Sequence, residues 1–148
     1  MRIRRQRDQE QRRGAVALEF SLTLPIMLAV VFGIIEFGRA MAVGQLVTSA
    51  AREGTRLATL SGSSNADVDQ AVKQFLVSSL KVSEDVIGVK ISVTAAPGNP
   101  DPHNDVGSAR SLDLCTVEVS VPFNETSYGK LKYLNDASFT GRMTMRHE

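Results

Sequence analysis

GAVALEFSLTLPIMLAVVFGII, running from Gly14 to Ile35, is the stretch on which the reading of this 148-residue chain turns. It is apolar almost throughout and carries one charge, Glu19. From Ala15 to Ile35 a helix rising about 1.5 Å per residue would be roughly 31 Å long, enough for a bilayer core of about 30 Å. A core helix of a water-soluble domain would keep a polar face, and from Phe20 to Ile35 the only hydroxyls are Ser21 and Thr23. The stretch therefore reads as a membrane span. A carboxylate inside a span points to a functional site, because translocon scales charge an acidic residue roughly 2.5–3.5 kcal/mol at mid-span and less near the interface; the plain alternative is a glutamate that snorkels to the interface.

Upstream lies MRIRRQRDQEQRRG, with Arg2, Arg4, Arg5, Arg7, Arg12 and Arg13 against Asp8 and Glu10, a formal +4 in a chain whose total is +1. Basic residues beside a span stay on the cytoplasmic side. The expected layout is a cytoplasmic leader over 1–14, a transmembrane helix over 15–35, a helical stalk over 36–60 and an extracytoplasmic domain over 61–148. Glu36 and Arg39 bound the span on its far side. A basic segment and an apolar run also describe a secretory signal, and Ala40-Met41-Ala42 has the form of its cleavage site, which would start a soluble protein at Val43. The apolar run exceeds the roughly 7–15 residues of such a signal, and Glu36 and Arg39 intervene.

Pro25 removes a backbone donor within the span, so a kink or an opened turn is expected, with Ser21 or Thr23 able to satisfy freed groups. Beyond the membrane the helix should run to about Ala58. Ala50, Gly54 and Ala58 recur every fourth residue and leave one helix face nearly bare, ready for a close packing partner, either this chain's own domain or another subunit. Ser61-Gly62-Ser63-Ser64-Asn65 breaks the helix, and Ser64 with Asp67 forms a capping-box pattern for a second amphipathic helix over about 66–81. Period-two alternation then predicts strands at Val89–Val93, Cys115–Phe123 and Phe139–Met145, with a polar, proline-bearing loop over Pro97–Ser111. The expected fold is α+β: a long N-terminal helix, a second helix and a three-stranded antiparallel sheet.

Gly14 followed by Glu19 and Phe20 resembles the cleavage motif of type IV prepilins, with the acidic residue at the fifth position of the mature chain and, as in the Flp/Tad branch, an aromatic residue after it. The wider stretch from Arg12 through the AREG segment (Ala51–Gly54), and the ending SFTGRMTMRHE, resemble the TadE-like pseudopilins. The resemblance implies a pilin-like minor pseudopilin, with Gly14 and Ala15 flanking the bond cut by a prepilin peptidase. It also implies the major Flp pilin, other pseudopilins and an inner-membrane assembly platform as partners, and a role in Flp pilus assembly, adhesion and biofilm. A TadF-like role is close to it. The new amine of Ala15 would lie one helix turn from Glu19, within pairing reach inside the chain or between subunits. The alternative is an uncleaved single-pass protein whose external domain binds a ligand.

No GxSxG, HExxH, phosphate loop or dinucleotide fingerprint occurs, so neither an enzyme, a cofactor, a metal nor a nucleic-acid partner is expected. His103 in PDPHND reads as a solvated loop residue, and the lone Cys115 as a strand residue of the core.

Overall fold

The computed structural model describes residues 2–123 and 138–148, with side chains from 14 onward; the arginine side chains of the leader lie outside the described residues. The elements follow in the expected α+β order. Helix α1 spans Arg2–Ala58 and α2 spans Asn65–Leu80, followed by strands β1 (Gly88–Thr94), β2 (Leu114–Pro122) and β3 (Ser138–Arg146). Short 3-10 turns lie at Glu84–Val86 and Val106–Ser108. The chain divides into two compact units, Met1–Gly38 and Arg39–Glu148.

In the first unit every side chain from 14 to 35 is exposed, leaving the apolar surface of Leu18, Leu22, Ile26, Ile34 and their neighbours without cover from this chain. Gly14–Ala58 is the one stretch among the described residues that is long and apolar enough to cross a membrane. Pro25 lies inside α1, which is helical on both sides of it.

The second unit is one helical layer on one antiparallel sheet of order β1-β2-β3. Val117 sits opposite Ile91 on one side and Met143 on the other, and Val119 lies between Val89 and Gly141. Period two thus turns the apolar residues of all three strands to a single face. The α-helical period does the same for α1, whose Val43, Val47, Ala50, Ala51 and Ala58 are buried, and for α2, whose Val68, Val72 and Leu76 are buried. Residues 43–58 are therefore a wall of the core. Ser64 starts α2 as its sequence predicts: its hydroxyl accepts from the Asp67 N–H at 3.3 Å, and its own N–H donates to Asp67 Oδ2 at 3.0 Å.

Two glycines set how closely the layers meet. A Cβ on Gly141 would lie 2.8 Å from the Val47 carbonyl oxygen and 2.9 Å from the Thr48 Cα, so β3 rests on the backbone of α1. A Cβ on Gly54 would lie 2.5 Å from Val72 Cγ2 and 3.3 Å from Val117 Cγ1. Beside them the buried Thr55 hydroxyl is 2.7 Å from the Ala51 carbonyl and 3.2 Å from the Met143 carbonyl, so its single proton is shared between helix and strand.

The loop from β1 to β2 is organised by Asp113, which is fully buried. Its Oδ1 accepts from the Ala96 N–H at 2.8 Å and the Asn99 side-chain amide at 2.7 Å, and its Oδ2 accepts from the Arg110 N–H at 2.8 Å. Those bonds, Ala96 first, then Arg110 and Asn99, hold the carboxyl below its ordinary range against the opposing effect of burial. The Ser64 side chain and then its backbone lower Asp67 likewise.

Gly141→Ala should destabilise the protein by about 1–3 kcal/mol, the usual penalty of overpacking, because a backbone cannot swing aside. Gly54→Ala should cost less, since it meets rotatable valines. Thermal unfolding of the full chain in detergent, followed by circular dichroism, compares the two, and equal penalties would refute the argument. A depressed folded pKa gives stability that is complete above the unfolded carboxylate value of about 3.9 and lost as pH falls through the lower folded value. The melting temperature should therefore drop on acidification below about pH 4. Asp113→Asn should lower it at pH 7, because an amide facing these three donors must oppose one of them with an N–H, and should flatten that acid limb.

Candidate processing and assembly segment

Gly14, Ala15, Glu19 and Phe20 all lie on α1. Ala15, Glu19 and Thr23 are spaced by four and share one helix face, with successive residues about 6 Å apart along the axis. The Thr23 hydroxyl donates to the Glu19 backbone carbonyl at 2.8 Å, which ties the turn carrying the carboxylate to the turn below it. Pro25, having no N–H, leaves the carbonyl of Ser21 without its i+4 backbone donor. That carbonyl is a hydrogen-bond acceptor two residues beyond Glu19, about 200° round the helix and so on the opposite side from it.

The Gly14–Ala15 bond is in helical conformation, and a Cβ added at Gly14 would meet nothing within 4 Å. Its neighbourhood is open to an approaching enzyme. Cutting it requires local unwinding, because proteases read extended backbone. Glycine eases that step, being about 1 kcal/mol less favourable than alanine within a helix. Phe20 is exposed, as are Glu19 and Ala15, so the face is presented outward.

Ala50, Gly54 and Ala58 lie in the core of the second unit, packed against this chain's own domain. Ala50 and Ala58 are fully buried, and Gly54 is closed over by Val68, Val72 and Val117. Sequence reasoning missed Thr23 as a support for Glu19; its i+4 spacing was the available signal. It also missed Gly141, for which a small residue in an apolar strand register was a faint signal, and Thr55 on α1, for which there was none.

The remaining reactive side chains do not converge. Among the described residues no group of three or more His, Cys, Asp or Glu is placed to hold a metal ion. His103 Nδ1 is 3.8 Å from Asp101 Oδ2, both exposed. Cys115 is buried, and desolvation, followed by the charge of Asp113, pushes its thiol up.

Residues 14–56 match the family model of the TadE-like proteins. The match begins on Gly14 and runs through the AREG segment into the helix wall of the core. No protein of curated function and no solved structure matches the chain.

Proposed function

From a membrane-anchored chain whose residues 14–56 are TadE-like, a mark of Flp/Tad pilus systems, we propose a minor pseudopilin that acts in pilus assembly. In this reading a prepilin peptidase cuts between Gly14 and Ala15 on the cytoplasmic side. The arginine-rich leader holds the N-terminus inside, 15–35 spans the inner membrane, and the α+β unit faces outward. The observation that carries the reading is Glu19, the single charge between Gly14 and Ile35, five residues beyond an exposed glycine at the start of the family match.

The chemistry is an ion pair made by processing. Hydrolysis frees an ammonium at Ala15, one helix turn from the Glu19 carboxylate. Unpaired, each charge is costly in hydrocarbon; paired, within a chain or with a neighbouring subunit, they offset one another and fix the axial register of packed helices. Adhesion and biofilm formation would follow from the assembled filament, with the major Flp pilin, other pseudopilins and an assembly platform as partners. One observation favours the second reading, an uncleaved anchor: α1 is helical across the Gly14–Ala15 bond.

Mass spectrometry of the N-terminus in the membrane fraction separates the two. The expected chain begins at Ala15, and Gly14→Val, which blocks close backbone approach, should cut the processed fraction at least about tenfold, since transition-state positioning tolerates little displacement. A chain that keeps its leader would establish the anchor. Glu19→Ala should insert and still reach the membrane, yet its incorporation into sheared filaments should fall by about tenfold or more, as expected for loss of one partner of a buried pair. Normal incorporation of that variant would refute the register role.

A further inference from the structure

Four turns among the described residues close with a bond from the fourth N–H to the first carbonyl around a third residue at positive φ; in one, Pro102–Asp105, the second residue His103 is also at positive φ (53°), and the other three have only the third residue there. Those three are Leu60–Ser63, Ala96–Asn99 and Arg110–Asp113, with N···O distances of 3.3, 3.0 and 3.0 Å. The third residues are Gly62 at φ 89°, Gly98 at φ 96° and Leu112 at φ 78°. With no positive φ at the second position, all three are type II turns, whose third position favours glycine. Two of them obey that preference. The third places a leucine there, and Leu112 is 56% exposed, so burial within this chain does not compensate its backbone. The bond that its N–H gives to the His147 carbonyl, at 3.0 Å, would form with any residue.

Strain that the fold retains without internal benefit points to a use outside it. The Leu112 and Pro97–Gly98 turns are locked together. Asp113 accepts from Ala96, Asn99 and Arg110, and the Asn99 amide also donates to the Ser111 carbonyl at 3.0 Å. Between the turns, at the end of the sheet, lies a groove of about 250 Å³ lined by Ala95, Ala96, Pro97, Leu112, Leu114 and Arg146. Leu114 is 40% exposed, and Arg146 is the only charged residue of the lining. The volume suits one or two aliphatic side chains. A rigid apolar groove with a cation at its rim is preorganised for a ligand that pairs an apolar group with an anion.

We propose that this two-turn platform is a docking site for a segment of a partner protein that presents an aliphatic side chain beside a carboxylate. Leu112 supplies apolar contact, Arg146 receives the carboxylate, and Asp113 acts as a positioning residue by fixing both turns before binding. The platform is remote in sequence from Gly14–Phe20 and stands whether or not that bond is cut.

The test is photo-crosslinking in the native cell, with a benzophenone amino acid at Ser111 of the full-length chain and, as control, at Lys90 on the same sheet. The expected product is one protein other than this chain, joined only from position 111. Its linked peptide should carry Leu, Ile, Val or Met within two residues of Asp or Glu. Leu112→Gly and Arg146→Gln should each reduce the product about tenfold or more, as hot-spot truncation does. Leu112→Gly should not lower the melting temperature of the purified full chain. Absence of a product, an adduct to lipid alone, linkage only to a second copy, or a yield insensitive to Leu112→Gly would overturn the proposal. So would a melting temperature lowered by more than about 4 °C in that variant, since Leu112 would then be structural. The N-terminal mass of the same preparation reports processing at Gly14 separately, so failure of one inference is distinct from failure of the other.

Discussion

The contact between α1 and β3 at backbone distance is the constraint from which the second unit is built. Gly141 lies against Val47 and Thr48, Gly54 lets Val72 and Val117 close in, and Ala50, Ala51 and Ala58 line the seam between. Small residues bring two layers together without side chains to separate them, and close packing then gathers many weak dispersion contacts. The valines of β2 and α2 fill what remains. Thr55 adds a polar link across the seam, matched to the carbonyl of Met143 on the strand.

A single helix serves two environments in this protein. Residues 14–35 of it are apolar on every side and uncovered by the chain; its last part is apolar on one side and forms a wall of the core. That change of pattern along one sequence carries most of the functional argument. An all-round apolar segment calls for lipid or other helices around it, and Glu19 is its one charge. The TadE-like match covers both parts, from the candidate cleavage bond to the wall of the core.

Much of this was legible in the sequence because it is periodic or local. Val117, Val119 and Val121 announce a strand by alternation, and Ser64 and Asp67 a helix start by their spacing. What escaped depends on pairs distant in sequence. Nothing near Gly141 says that a helix backbone will rest on it, and nothing near Thr55 names the carbonyl of Met143, 88 residues away. Asp113 reads as one acid in a polar loop until three donors converge on it. Thr23 was legible in principle, since a hydroxyl four residues after Glu19 can reach back one turn, yet its role concerns a backbone atom that motif reading ignores.

The separation of α1 from β3 along the chain also imposes an order of events. The helix is synthesised first, while the strand that covers it comes more than 80 residues later by the Thr55–Met143 spacing. In the interval the seam of alanines and Gly54 has no sheet to rest on, and β2 has an unpaired edge. Contacts this distant are entropically slow to close. Completion of the α+β unit thus waits on β3: the helix is made before its sheet is finished, a period in which a protecting factor or a pairing subunit would find its opening.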